Sequence, residues 1–173
     1  THTRGWLYLN NGGSDTFSDT FSGNGILTKK GTGTVTLAAA QLNRNLPTNT
    51  VVEAGTLRYG VSGALAYGAG TGFVELWTSG TLDVNGFATS LSGLTGRGCV
   101  TNSAGTAVEL RVGDDTLSSS FGGRIAAPLT LTKSGAATLT LTYPGVTREP
   151  VTVEAGTLAL GPGILLTNGV DIA

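Results

Sequence analysis

The sequence predicts an all-β solenoid, a parallel β-helix of about eight coils. Three observations lead there. Apolar and polar residues alternate with period two in short runs that end at Gly, Asn, Asp or Pro, which is the pattern of half-buried strands and turns. The phrase "LTKKGTGTVTL" at 27–37 returns as "LTKSGAATLTL" at 131–141, and "VEAGTLRYG" at 52–60 returns as "VEAGTLALG" at 153–161, in the same order. Apolar runs also recur about every 20 residues, near Val35, Leu57, Leu76, Leu91 and Leu110.

The runs justify strands one by one. In "GTVTL", Val35 and Leu37 share one face while Thr34 and Thr36 take the other. In "ATLTLT", Leu139 and Leu141 oppose Thr138, Thr140 and Thr142. "TVVEAGTLRY", "GFVELWTSGTLDV", "AVELRV", "PLTLT", "VTVEAGTLAL" and "GILLTNGV" read the same way. Gly interrupts nearly every eleven-residue window, and each interior Gly costs a helix roughly 1 kcal/mol. Leu37, Leu57, Leu141 and Leu158 are expected inside. Thr34, Thr36, Thr138 and Thr140 are expected on the solvent-facing pleat, where β-branched residues fit well.

The repeats choose a solenoid over a sandwich or barrel. The shifts between copies are about 100 residues, and a looser pair, "DTFSDTFSGNGI" at 15–26 and "DDTLSSSFGGRI" at 114–125, extends the match. The chain is therefore read as one β-solenoid over 1–173, with internal units at about 15–112 and 114–173, the second cut short. A closed barrel needs a fixed strand number, whereas a solenoid tolerates a fractional copy because each rung touches only its neighbours. In this reading "TKKGTG" and "TKSGAA" are corners, with Gly supplying positive φ.

Composition limits the function. Only 12% of the 173 residues are charged, about half the usual share. The net charge of −1 offers no basic field for nucleic acid or anionic membrane. No run of 18 apolar residues exists to span a membrane. Apolar residues make up 39%, which argues against disorder. The chain has no Met, which suggests a processed chain or an excised segment, and one cysteine, Cys99, so no internal disulfide. Low charge with abundant Thr, Gly and Ser points to an extracellular setting.

The two phrases resemble the autotransporter-associated β-strand repeat, also called the passenger-associated transport repeat, of large bacterial surface proteins. The stretch between them resembles the rest of that repeat's long form. "AAAQLNRNLPTNT" and "TYPGVTREP" stand where the family usually has an asparagine-tyrosine-threonine stretch. The resemblance implies a right-handed parallel β-helix, secreted or displayed on a bacterial surface, working as stalk, scaffold or adhesin. It implies no catalytic residues and no cofactor.

Candidate chemistry is sparse. His2, the only histidine, would have to serve any Ser–His–Asp triad or imidazole metal site, and it sits near the start as an exposed residue. Asp114 and Asp115 are the weak candidates for Ca²⁺, with Asp15 and Asp19 in the repeat-mate region. Beside Gly113 and Thr116 they are better explained as turn carboxylates that accept local N–H bonds. Lys29, Lys30 and Lys133 recur at one kind of corner and are expected to be solvated there, discouraging lateral strand pairing. Glu53 and Glu154 are expected to point outward. "YGAGTG" lacks the ending and the helix of a phosphate loop. Trp6, Trp77, Tyr59 and Tyr67 are candidates for a sugar platform, against scattered wall aromatics. Cys99 reads as a small core residue.

Three function classes follow: a structural or adhesive solenoid first, a carbohydrate-binding module second, a polysaccharide-degrading β-helix third. Expected partners are other copies of the chain, head-to-tail through the terminal coils, and surface or matrix glycans. "WLYLN" at one end and "GILLTNGVDIA" at the other both read as strands, so stacked copies could form a filament.

Overall fold

The computed structural model describes residues 5–43, 48–68, 70–126, 128–147 and 150–172. Among them every strand pairing is parallel, and no helix occurs. The strands stack in three walls. The first wall runs through β1 (Trp6–Asn10), β4 (Ile26–Lys30), the start of β7 (Thr48–Tyr59), the start of β8 (Phe73–Asp83), β10 (Gly93–Gly96), β13 (Ser119–Phe121), β16 (Thr138–Leu141) and β19 (Thr157–Leu160). The second holds β2 (Ser14–Phe17), β5 (Thr34–Leu37), the ends of β7 and β8, β11 (Cys99–Thr101) and β14 (Arg124–Ile125). The third holds β9 (Thr89–Leu91), β12 (Val108–Val112), β15 (Leu129–Lys133), β18 (Val151–Val153) and β21 (Val170–Ile172), and a separate pair, β3 (Ser22–Gly23) and β6 (Leu42–Asn43), takes its place in chain order in the first two coils. A further pair, β17 (Gly145–Thr147) and β20 (Ile164–Leu166), takes the second wall's place in chain order, each between a first-wall and a third-wall strand.

Eight strands in the first wall make eight coils. Register along it pairs Trp6 with Ile26, Leu27 with Thr50, Val52 with Leu76, Leu76 with Gly96, Gly96 with Phe121, Phe121 with Leu141 and Leu141 with Leu160. At about 4.8 Å per coil the rod is roughly 35 Å long.

The alternation read from the sequence sets what is inside. Val35, Leu57, Leu82 and Val100 stand in register on successive coils of the second wall, and all are buried. Leu110, Leu131 and Val151 do the same in the third. Each side chain packs on its equivalent above and below, so the core is a set of apolar ladders. Leu37, Leu57 and Leu141 are buried as expected, and Thr34, Thr36, Thr138 and Thr140 are the half-exposed partners of the alternation. Leu158 corrects the expectation: it is only half-buried, because β19 has a strand on one side alone.

The repeated phrase covers two walls and the corner between them. The first copy places "LTKK" in β4 of the first wall and "TVTL" in β5 of the second. The second places "LTK" in β15 of the third wall and "TLTL" in β16 of the first. From one copy to the next the chain makes four whole coils and two more walls, so the same phrase reappears on a different side. Its local geometry is unchanged. Gly31 and Gly135 have φ of 72° and 71°, and Gly55 and Gly156 both have 69°. These corner glycines need the left-handed region that other residues enter at a cost of about 1–2 kcal/mol.

Candidate functional site

A coil must turn three times, and each turn leaves backbone groups that the wall ladders do not satisfy. Buried polar side chains meet that need. Lys29 lies on the inward parity of β4, two residues after Leu27, and its side chain is fully buried. Its Nζ donates to the carbonyls of Lys30 (2.5 Å), Gly31 (2.8 Å) and, one coil on, Ala54 (3.3 Å). Lys133 repeats the arrangement with Ser134 (2.6 Å), Gly135 (2.7 Å) and Ala155 (3.0 Å). The solvated lysine corner expected from the sequence is therefore corrected: Lys29 and Lys133 are internal clamps, and Lys30 alone of the three reaches outward, to Glu53 at 3.2 Å. Burial pulls the pKa of both clamp ammoniums below the ordinary value, and at Lys133 the negative charge of Asp115 acts in the opposite direction without overcoming it.

Other corners use other donors and acceptors. Gln41 is fully buried; its Oε1 accepts from Phe21 N–H and its Nε2 donates to Asp19 and Ala39 carbonyls. Asn102 accepts from Gly86 and Ala104 N–H and donates to Thr106 and Pro128 carbonyls. Asp83 accepts from Asn85 and Ser103 N–H and from Arg58 Nε at 2.8 Å. Burial would raise its pKa, but these donors hold it below the ordinary carboxylate value.

Asp114 is nearly buried, and its carboxylate accepts four donors: Gly70 N–H, Thr116 N–H, Thr116 Oγ1 and Leu117 N–H, at 2.7–3.1 Å. Burial alone would raise its pKa; the four donors win and hold it at about 2. Asp115 is exposed and accepts from Ala136 N–H at 3.1 Å. Both carboxylates thus stitch a corner to neighbouring coils. Asp15 and Asp19 lie elsewhere, exposed, and no group of three or more His, Cys, Asp or Glu able to hold a metal occurs among the described residues.

The remaining candidates separate. His2 lies outside the described residues. Gly68 and Thr71 of "YGAGTG" form an isolated antiparallel bridge, and Ala69 lies outside the described residues. Tyr59 is buried in the core, which removes it from any sugar platform. Trp6, Tyr67 and Trp77 are exposed. Cys99 corrects the core reading: Val100 takes the inward position and Cys99 sits beside it half-buried, with burial pushing its thiol pKa up. Glu154 faces out and accepts from both terminal guanidinium nitrogens, Nη1 and Nη2, of Arg111, two coils away. Glu53 is half-buried and paired with Lys30.

An outward strip of the first wall collects the polar and aromatic side chains that remain. Trp6 and Tyr8 meet edge to face at 6.2 Å, and Lys30 Nζ lies 4.8 Å over the Tyr8 ring. Trp77 Nε1 donates to Glu75 at 3.1 Å beside a hollow of about 340 Å³ that Glu53, Thr78, Ser79 and Arg97 also line. The strip was not legible as a unit, because its members are scattered along the sequence from Trp6 to Arg97 and meet only through coil register.

Among the described residues no helix is long and apolar enough to cross a membrane. No family model matches the chain, and no solved structure matches it. Among curated proteins it is similar to an adhesin, the BmaC autotransporter of Brucella suis biovar 1 (strain 1330), with 41% identity over 85 residues. That match covers 49% of this chain and 2% of the adhesin, so the chain spans only a small part of that relative.

Proposed function

We infer that the chain is a non-enzymatic stretch of β-solenoid, serving as stalk or adhesive surface in a protein displayed on or secreted from a bacterium. The observation that carries this reading is the parallel eight-coil rod whose corner groups are met by its own buried lysines, amide and carboxylates. Polar side chains that catalysis would need are spent on holding coils together. The likeness to an autotransporter adhesin supports the same assignment and its extracellular setting. The open edges of β1 and of β19 are where further coils would add, from the same chain or head-to-tail from a second copy.

Two measurements test it. Beads coated with the purified chain should adhere to host-cell or matrix surfaces above beads coated with an unrelated β protein. Light scattering on a size-exclusion column should show mass rising with protein concentration if copies stack. Equal retention of both bead types, together with a rod that turns over polysaccharide, would reverse the assignment.

A further inference from the structure

We propose that the hollow around Trp77 is a carbohydrate-binding site, in which a sugar ring lies on the exposed indole while its hydroxyls bond Glu53 and Arg97, with Glu75 holding the indole in place. The proposal deepens the adhesive reading and rests on it. Trp77 is 49% exposed on an outward position of β8. A bare indole in water is unfavourable, yet this one is also fixed, since its Nε1–H is tied to Glu75. A rigid, open aromatic face with a polar edge suits a ligand that is itself apolar on one face and hydroxylated at its rim.

The polar groups around the ring supply both kinds of partner. Glu75 uses one carboxylate oxygen for the indole, and Glu53 uses one for Lys30. The second oxygen of each has no protein partner among the described residues. Arg97, one coil on from Leu76, is exposed and makes no ion pair or side-chain hydrogen bond among the described residues. Within the hollow, the free acceptor of Glu53 and the free five-donor fork of Arg97 match hydroxyl groups, which both donate and accept. The lysine–glutamate pair balances itself, as do Glu75 and Arg97 in sum, so the site carries no net charge to demand an ionic ligand.

Size argues against a protein partner here. The hollow of about 340 Å³ falls at the lower end of small-ligand clefts, about 300–1,000 Å³. A stable protein interface buries about 800 Å² per side, and its core is depleted of charge. This strip sets three charged groups, Glu53, Glu75 and Arg97, about one ring. It also continues: Tyr8 and Trp6 stand three coils before Trp77, about 14 Å along the rod, joined through Lys30 and Glu53. An oligosaccharide lying along the rod axis would meet both aromatic sites.

The test uses the full chain with Trp6→Phe, which leaves Trp77 as the sole tryptophan. An array of neutral and acidic oligosaccharides selects probes, and each retained one is titrated against Trp77 emission up to about 10 mM, the range of weak single sites. The expected result is a saturable emission change weakened about tenfold by Arg97→Ala and, with binding read by isothermal titration calorimetry because Trp77→Ala removes the fluorophore, loss of binding in Trp77→Ala. Affinity that falls steeply with salt marks an acidic sugar, and salt-independent affinity a neutral one; either supports the site. Far-UV circular dichroism on each variant confirms that the rod is intact. No retained oligosaccharide and no emission change overturns the proposal, as does binding that Trp77→Ala leaves untouched. Bead adhesion by a parent chain that binds no oligosaccharide sinks the sugar site and leaves the adhesive reading standing. Loss of adhesion in the parent chain, with emission still responding to sugar, removes adhesion alone.

Discussion

Lys29 and Lys133 make the same three bonds at different corners of the rod. Each donates to the carbonyl of the next residue, to the carbonyl of the positive-φ glycine after it, and to an alanine carbonyl one coil on. A charged group is thus kept inside because its surroundings are three fixed acceptors.

Replacing either lysine should therefore be costly. Lys133→Met keeps the stem and removes the donor, stranding three carbonyls. The expected loss is about 3 kcal/mol, since each buried acceptor left unpaired costs about 1–3 kcal/mol and some relaxation is available. Urea unfolding followed by circular dichroism reads it as a lowered midpoint. Lys30→Met, on the outward neighbour, should move that midpoint by less than about 1 kcal/mol; equal effects would show that the clamp is not formed.

Acid should weaken the rod in a defined window. Asp114 has an ordinary pKa of 3.8 and a folded value of about 2. A carboxylate with a depressed folded pKa contributes stability that is complete above its unfolded value and lost as pH falls through the folded one. Between about pH 4 and pH 2 the loss should approach 2 kcal/mol from this group. Asp114→Asn should lower stability at pH 7 and flatten the fall across that window. A parallel fall in both proteins would place the acid sensitivity elsewhere.

Glycine positions should divide sharply. A Cβ at Gly135 would lie 2.5 Å from the Asp114 carbonyl oxygen, and φ there is 71°. Gly135→Ala is expected to cost about 2 kcal/mol or more. A Cβ at Gly12 meets nothing within 4 Å, and Gly12→Ala should be neutral or slightly stabilising. Thermal midpoints of the two variants compare them directly.

The apolar ladders should behave as a continuous core. Leu110→Ala removes a fully buried side chain stacked on Leu131, with an expected cost of about 2–5 kcal/mol. Leu158→Ala, on the half-buried last coil, should cost less than half as much. Similar costs at both positions would mean that further coils cover Leu158 in solution.

The ladders and their alternation were legible because period two is a local property: Val35, Leu37 and Leu57 announce their side within five residues. The lysine clamps were missed because Lys is normally outward, although parity carried the signal. Lys29 shares the face of Leu27, and Lys133 that of Leu131. Cys99 fails the same parity test, since Val100 is the inward residue. The turn role of Asp114 could be read from Gly113 and Thr116, whereas its bond to Gly70, 44 residues earlier, depends on coil register and could not. The grouping of Trp77 with Glu53 and Arg97 depends on register in the same way.

The fractional step between copies of the phrase has a directional consequence. In an array built from such units, each would face about a third of a revolution away from the last, like steps on a spiral stair. Three units, fourteen coils in all, bring the same surface back to one compass bearing, about 67 Å further along. Neighbouring units would therefore address targets on different sides. Avidity toward a flat surface would come only from every third unit, and only through targets spaced to that distance.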